Sequence, residues 1–173
     1  MPSVPTSWQR PQQLTRSISN PSDVTVYFED LDEGDVLEFG TYDVTEDEIV
    51  EFAERYDPQW FHTQPERARE ESHFDDLAAS GWHTCAIAMR LVVDGHYVDA
   101  AGLGALGIEQ LRWPNPTVPG DSLSVTVEIL EMRRSESDPT RGLVTLNHTV
   151  TNQASEVKLE MRPTVMYACR NSG

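Results

Sequence analysis

Ser80-Gly81-Trp82-His83-Thr84-Cys85-Ala86-Ile87-Ala88-Met89-Arg90-Leu91-Val92-Val93 is apolar round most of a helical circumference, with few polar breaks. A helix patterned this way is buried on most of its sides. Ser80 is placed to cap its start. Downstream, from about Leu106, the period changes to that of strands. Leu123, Val125, Val127 and Ile129 alternate with Ser124, Thr126 and Glu128. Leu143 to Val150 is rich in β-branched residues, and Val157, Leu159, Met161, Val165, Tyr167 and Cys169 keep period two. Pro163 places part of that last strand at an edge or a bulge, because it has no N–H to give a ladder. Turn signals stand at Val118-Pro119-Gly120-Asp121, Ser137-Asp138-Pro139 and Asn152-Gln153-Ala154-Ser155.

Upstream, Val36 to Val44 predicts a short strand. Thr45-Glu46-Asp47-Glu48 follows as a capping box with acidic residues suited to a helix N-terminus. Ile49, Phe52, Ala53 and Tyr56 then mark one helical face. Pro58 closes that helix. Thr63-Gln64-Pro65-Glu66 is a second capping box, predicting a short helix through about Arg69. A strand, helices, one strongly apolar helix and a run of strands predict an α+β domain, one antiparallel sheet curled round one helix.

The 173 residues suit a single domain over 25–170, preceded by a Pro-, Ser- and Gln-rich stretch over 1–24 expected to be a flexible N-terminal extension. Asp and Glu number 29 against 13 Lys and Arg, a formal charge of −16. Such a surface repels nucleic acid and anionic membranes, so neither is expected as a partner. Lys158 is the single lysine. Acid excess with lysine scarcity suits a halophile's protein, because in molar salt the Debye length falls to roughly 3 Å and like charges scarcely repel. The plainer alternative is an ordinary acidic cytosolic protein. Cys85 and Cys169 lie in apolar contexts without metal-type spacing, as reduced core residues of a cytoplasmic protein. No run of 18 apolar residues spans a membrane, and the N-terminus lacks a signal-peptide core.

The chemistry concentrates in Phe52-Ala53-Glu54-Arg55-Tyr56-Asp57-Pro58-Gln59-Trp60-Phe61-His62. Here a helix gives way to a Pro- and aromatic-rich turn with a carboxylate and an imidazole five positions apart. Asp57 and His62 can share a water there, a general acid/base contribution worth roughly 10²- to 10⁴-fold. Against this, Asp57 could simply shape the turn and His62 could be an ordinary surface or core imidazole. At Ser80-Gly81, free backbone N–H groups at a helix N-terminus suit a developing oxyanion; an ordinary cap with a close-packed glycine is the alternative. His83 is expected to be a core or interface residue. His73, His96 and His148 make no metal set with His62, and Asp75-Asp76 suits a solvated loop. Gly102, Gly104 and Gly107 lead into a strand and predict a hinge or close approach near a substrate tunnel rather than a phosphate cradle.

Tyr56 to Ala68 resembles the hydratase signature of the MaoC-type hotdog family, the (R)-specific enoyl-CoA hydratases and dehydratases. That signature runs Asp-x-Asn-Pro-x-His-x-Asp. Asp57 and His62 match its catalytic pair. Ser80-Gly81 and Trp113-Pro114-Asn115-Pro116-Thr117-Val118-Pro119-Gly120-Asp121 are similar to two further family features. Gln59, Trp60 and Gln64 depart from the family's Asn, Pro and Asp, so the preferred acyl group does not follow from the motif. The resemblance implies a single hotdog fold, with the sheet wrapped round the 82–93 helix and Glu48–Tyr56 overhanging. It implies a homodimer, with the sheets edge to edge. It implies reversible hydration of a trans-2-enoyl-CoA to a (R)-3-hydroxyacyl-CoA in fatty acid or related metabolism. Asp57 and His62 would be catalytic, with acid and base unassigned between them; Gly81 would bind the oxyanion, and Ser80 and Gln59 would stand at the substrate. No metal or redox cofactor is implied, since CoA is part of the substrate. A hotdog acyl-CoA thioesterase and a non-catalytic acyl-CoA-binding protein remain as alternatives.

Overall fold

Thr45 separates the first strand from the first helix. The computed structural model describes residues 26–170; the extension expected over residues 1–24 lies outside the described residues. β1 (Val36–Asp43) leads into α1 (Glu46–Tyr56), where the Thr45 hydroxyl oxygen accepts from the Glu48 amide. The predicted capping box forms by half. Glu48 is buried, and its carboxylate accepts from the Thr45 hydroxyl rather than from the cap amide. Ile49 and Ala53 reach the core. Tyr56 leaves the predicted stripe at 63% exposure, since at the end of α1 its ring meets Phe52 and Arg55 instead of the core.

Past Pro58 the chain makes a single helical turn, α2 (Trp60–Thr63), where an open turn was predicted. α3 (Pro65–Glu71) follows, with Pro65 in its first turn as expected. Gln64, not Thr63, is its N-cap; the Thr63 hydroxyl donates to the Gln59 carbonyl, which closes α2 instead. Arg69 ties α3 to Glu46 of α1 and to Asp76 of the next loop.

α4 (Gly81–Gly95) is the predicted apolar helix, capped by Ser80 and running two residues past its expected end at Val93. Thr84, Ile87, Ala88, Leu91 and Val92 are buried. Trp82, Met89 and Val93 are exposed, so the expectation of burial on most sides fails along one stripe. The sheet of one chain does not reach round to that side.

Four long strands complete the fold: β2 (Gly102–Arg112), β3 (Ser122–Arg134), β4 (Arg141–Thr151) and β5 (Val157–Ala168). Their order is β1-β3-β4-β5-β2, antiparallel throughout. The β3–β4–β5 meander forms the centre, and β2 crosses to the far edge beside β5. Leu123, Val125, Val127 and Ile129 make one buried row, and Val144, Leu146 and Val150 another. Each such side chain contributes roughly 1.5–3 kcal/mol through burial. Gly120, at φ +87, makes the turn before β3 that an L side chain would strain. Pro163 lies in a strand flanked on both sides, beside the register shift at Ile108, so of the two predicted placements the bulge is the one observed. The architecture is a single hotdog, an antiparallel sheet packed round α4.

β2 is exposed along most of its length, including Leu103, Leu106 and Ile108. Gly102, Gly104 and Gly107 lie in it, and a Cβ added at any of them would meet nothing within 4 Å. The predicted close approach at these glycines does not occur, because they sit on an open edge strand whose register shifts three times.

Candidate active site

The break at Pro58 aims two side chains at each other. α1 ends with the Asp57 amide donating to the Ala53 carbonyl at 2.8 Å, and Asp57 then leaves helical geometry (φ −151, ψ 65). α2 turns the chain back, the His62 amide donating to the Gln59 carbonyl at 2.9 Å. His62 Nε2 comes to 3.5 Å from Asp57 Oδ2. The five-position spacing thus works through one unpredicted turn of helix.

Each partner is held from a second element. His62 is buried, and its Nδ1 lies 2.6 Å from the Ala78 carbonyl oxygen. A carbonyl only accepts, so Nδ1 carries the proton. In its neutral form the ring therefore has its lone pair at Nε2, the atom nearest Asp57. The Ser80 hydroxyl donates to Asp57 Oδ2 at 2.7 Å, and the Gln59 amide donates to Oδ1 at 2.8 Å. Burial alone would raise the Asp57 carboxyl; these two hydrogen bonds, with the attraction of the His62 ring whenever it is charged, outweigh it and hold the group below the usual carboxylate range. Asp57 is thus kept ionised beside the Nε2 edge of the imidazole.

A cavity of about 420 Å³ opens over this pair, with Ser80 and Gly81 on its floor. Phe61, Phe74, Trp82 and Trp113 supply apolar walls, and Pro116 and Thr117 close one side. Gly81 is the first residue of α4, so its amide lies ahead of the helical ladder. The Trp113 indole lies across Gly81, and its Nε1 donates to the Gly81 carbonyl at 3.0 Å. A Cβ at Gly81 would stand 2.6 Å from that ring, so only glycine fits.

The predicted site residues Asp57, His62, Ser80 and Gly81 come together here. Gln59 meets them from outside: it is exposed, braces Asp57 and does not line the cavity. His83 is buried as predicted, stacked on Phe52 at 4.6 Å between centroids, with Nε2 3.6 Å from Glu48 Oε1. It lies off the cavity, and burial pushes it down to about 4. Asp76 caps the Leu77 amide and pairs with Arg69, while Asp75 stands exposed with φ +59. The Ala78 carbonyl and the Thr84–Thr117 hydroxyl contact at 3.0 Å were not anticipated. A backbone oxygen has no residue-type signature, and a Thr–Thr pair 33 positions apart is invisible before folding.

A model of the MaoC like domain matches residues 31–152, well over half of the chain. The chain belongs to the MaoC-like domain family. A MaoC-like dehydratase from Rhodospirillum rubrum, known from its crystal structure, is 41% identical with a TM-score of 0.78, over 85% of this chain and 99% of that one. The YdeM protein of Bacillus subtilis (strain 168) is 32% identical over 127 residues, 73% of this chain and 86% of its own. An R-hydratase from Pseudomonas aeruginosa, unliganded, has a TM-score of 0.65 at 23% identity, over 83% of this chain and 86% of that one, a likeness of fold. The MaoC-like match takes in Asp57, His62, Ser80, Gly81 and the whole loop from Trp113 to Asp121; all of β5 lies beyond it.

Proposed function

We propose that the protein is an acyl-CoA hydratase/dehydratase that adds water to a trans-2-enoyl-CoA, giving a (R)-3-hydroxyacyl-CoA, and catalyses the reverse. The observation that carries this reading is His62 Nε2 facing the Asp57 carboxylate across 3.5 Å, with Nδ1 held by the Ala78 carbonyl so that the neutral ring accepts at Nε2. Both atoms accept. A water shared between them donates one hydrogen to each, leaving its oxygen lone pair free to attack. As the oxygen bonds to C3, His62 Nε2 takes its proton and the 2,3 π electrons pass into the thioester as an enolate. The Gly81 N–H donates to that enolate oxygen, aided by the α4 dipole. The enolate then takes the proton from His62 at C2 on the same face. Asp57 stays ionised and stabilises the transient imidazolium. These steps call on no metal or redox cofactor, and CoA enters as part of the substrate.

The same reading makes the protein a homodimer. Trp82, Met89 and Val93 leave an apolar stripe on α4, and the open edge of β2 exposes Leu103, Leu106 and Ile108. A second copy pairing along β2 would cover an edge strand that is otherwise free to pair with any chain. The charge of −16 with a single lysine supports a cytoplasmic enzyme working in high salt.

The test is hydration of crotonyl-CoA in molar KCl, followed by loss of the enoyl-thioester absorbance. Asp57→Asn and His62→Ala are expected to lower kcat by about 10²- to 10⁴-fold each. Release of free CoA thiol instead would identify a thioesterase. A folded protein that binds enoyl-CoAs of several lengths and branching patterns without turnover would identify a binding protein. Either result overturns the proposal.

A further inference from the structure

Lys158, the one lysine among 13 basic residues, is 3% exposed on β5. Its three N–H groups meet three acceptors. Nζ lies 2.9 Å from the Pro116 carbonyl, 3.2 Å from Asp121 Oδ2 and 3.1 Å from Glu156 Oε2. Asp121 is equally buried. It accepts the Val118 amide at 2.9 Å and the Asn152 side-chain amide at 2.8 Å. Asn152 in turn accepts the backbone amides of Ala154 and Glu156. One buried cation therefore joins the loop before β3, the β4–β5 turn and β5 itself.

The loop it holds is a wall of the cavity. Pro116 and Thr117 line it. The Thr117 carbonyl accepts the Ala79 amide at 2.8 Å, and the Thr84 hydroxyl of α4 donates to the Thr117 hydroxyl at 3.0 Å. Ala78, one residue earlier, carries the carbonyl that sets the His62 tautomer. From the Lys158 ammonium to the His62 ring the links are Pro116, Thr117, Ala79 and Ala78, each a covalent neighbour or a hydrogen bond.

We infer that Lys158 is a positioning residue for the candidate active site, its buried ammonium holding Pro116 and Asp121 so that the Pro116–Thr117 wall stays registered against the segment carrying the Ala78 carbonyl. The consequence for turnover rests on the hydratase reading; the consequence for the wall does not. Removing one partner of a buried pair leaves the other charge stranded. Salt screens such a pair little, because ions do not reach it. Arginine does not replace lysine here. The three acceptors converge on one atom, whereas a guanidinium spreads five N–H groups over a plane and would leave some buried and unpaired.

The test is hydrogen exchange read by mass spectrometry on the ligand-free chain, comparing the wild type with Lys158→Arg. A double variant, Lys158→Met with Asp121→Asn, strands no buried charge and decides the matter if the arginine variant fails to fold. Exchange is expected to rise about tenfold in segments 77–80 and 113–121 while the β3–β4 strands keep their protection. Unchanged exchange, or a rise shared evenly by every strand, overturns the inference. An acetylating reagent gives a second check: it should leave Lys158 unlabelled until the chain unfolds, and labelling at the unfolded rate overturns the burial. In the hydration assay kcat/KM should fall about tenfold, and arginine should not rescue it. A wild-type protein that hydrates no enoyl-CoA would remove the functional reading and leave the exchange result to decide the role of Lys158.

Discussion

Gly81 has no room for even a methyl group, because the Trp113 ring lies 2.6 Å from where a Cβ would stand. Gly81→Ala is expected to push Trp113 aside and cost about 1–3 kcal/mol, measured as a lower Tm. Hydration should fall further than stability, because the displaced backbone also carries the proposed oxyanion donor. Ser80→Ala makes a different prediction. The Ser80 hydroxyl is one of the bonds that keep the Asp57 carboxyl low against the opposing effect of burial. Without it the Asp57 carboxyl rises. The acid limb of the kcat/KM profile should then move to higher pH, and an unmoved limb would show that the bond does not set the ionisation. At this scale the sequence was informative where side chains act. The pairing of Asp57 and His62 was suggested by their spacing and singled out by the resemblance of the motif that holds them. The Ala78 carbonyl was not, since it reaches His62 from 16 positions away with a backbone atom that every residue owns.

The apolar circumference of α4 and its Ser80 cap were legible, and so were the strand periods that follow. Coverage was not. Six α4 residues are buried, while Trp82 stays 59% exposed with Met89 and Val93 along the same side. Met89 also shares a cavity with Gly104 and Ala105, which places that stripe beside the open β2 edge. Met89→Lys is expected to turn a dimer into a monomer in sedimentation measurements by putting an unpaired charge into the contact. A variant that remains dimeric, or a wild type that is monomeric, removes the proposed interface. α2 escaped the sequence for a different reason. Four residues do not complete enough turns to show a period, and its cap is the Gln59 backbone rather than a capping side chain.

Two buried histidines tie the stability of the whole molecule to pH. Burial pushes His83 and His148 from 6.5 down to about 4 each. Neither ring nitrogen of His148 has a hydrogen-bond partner among the described residues. Their effect on stability is complete above pH 6.5. As pH falls from 6.5 towards 4, the unfolded chain takes up protons that the fold refuses, so stability drops across that window. Thermal unfolding followed against pH should show this slope, and His148→Leu should remove about half of it. An unaltered slope would place the acid sensitivity elsewhere. Net charge acts at the same scale. With −16 on the chain, raising KCl from about 0.1 M towards molar levels should raise Tm by screening self-repulsion. A Tm that falls with salt would count against the salt-adapted reading.

The sequence was enough to determine that this chain makes an antiparallel sheet with one apolar helix, and, through its motif, which carboxylate and imidazole flank the break after α1. Periodicity, caps and prolines act within a few residues and are written along the chain. Strand order, the uncovered stripe of α4, the tautomer of His62 and the burial of Lys158 depend on which distant segments meet. β2 beside β5, Ala78 beside His62 and Asp121 beside Lys158 are contacts between segments far apart in sequence, and no local pattern pairs them. Only packing the sheet round the helix brings them within hydrogen-bonding distance, and only there do burial and charge give them a role.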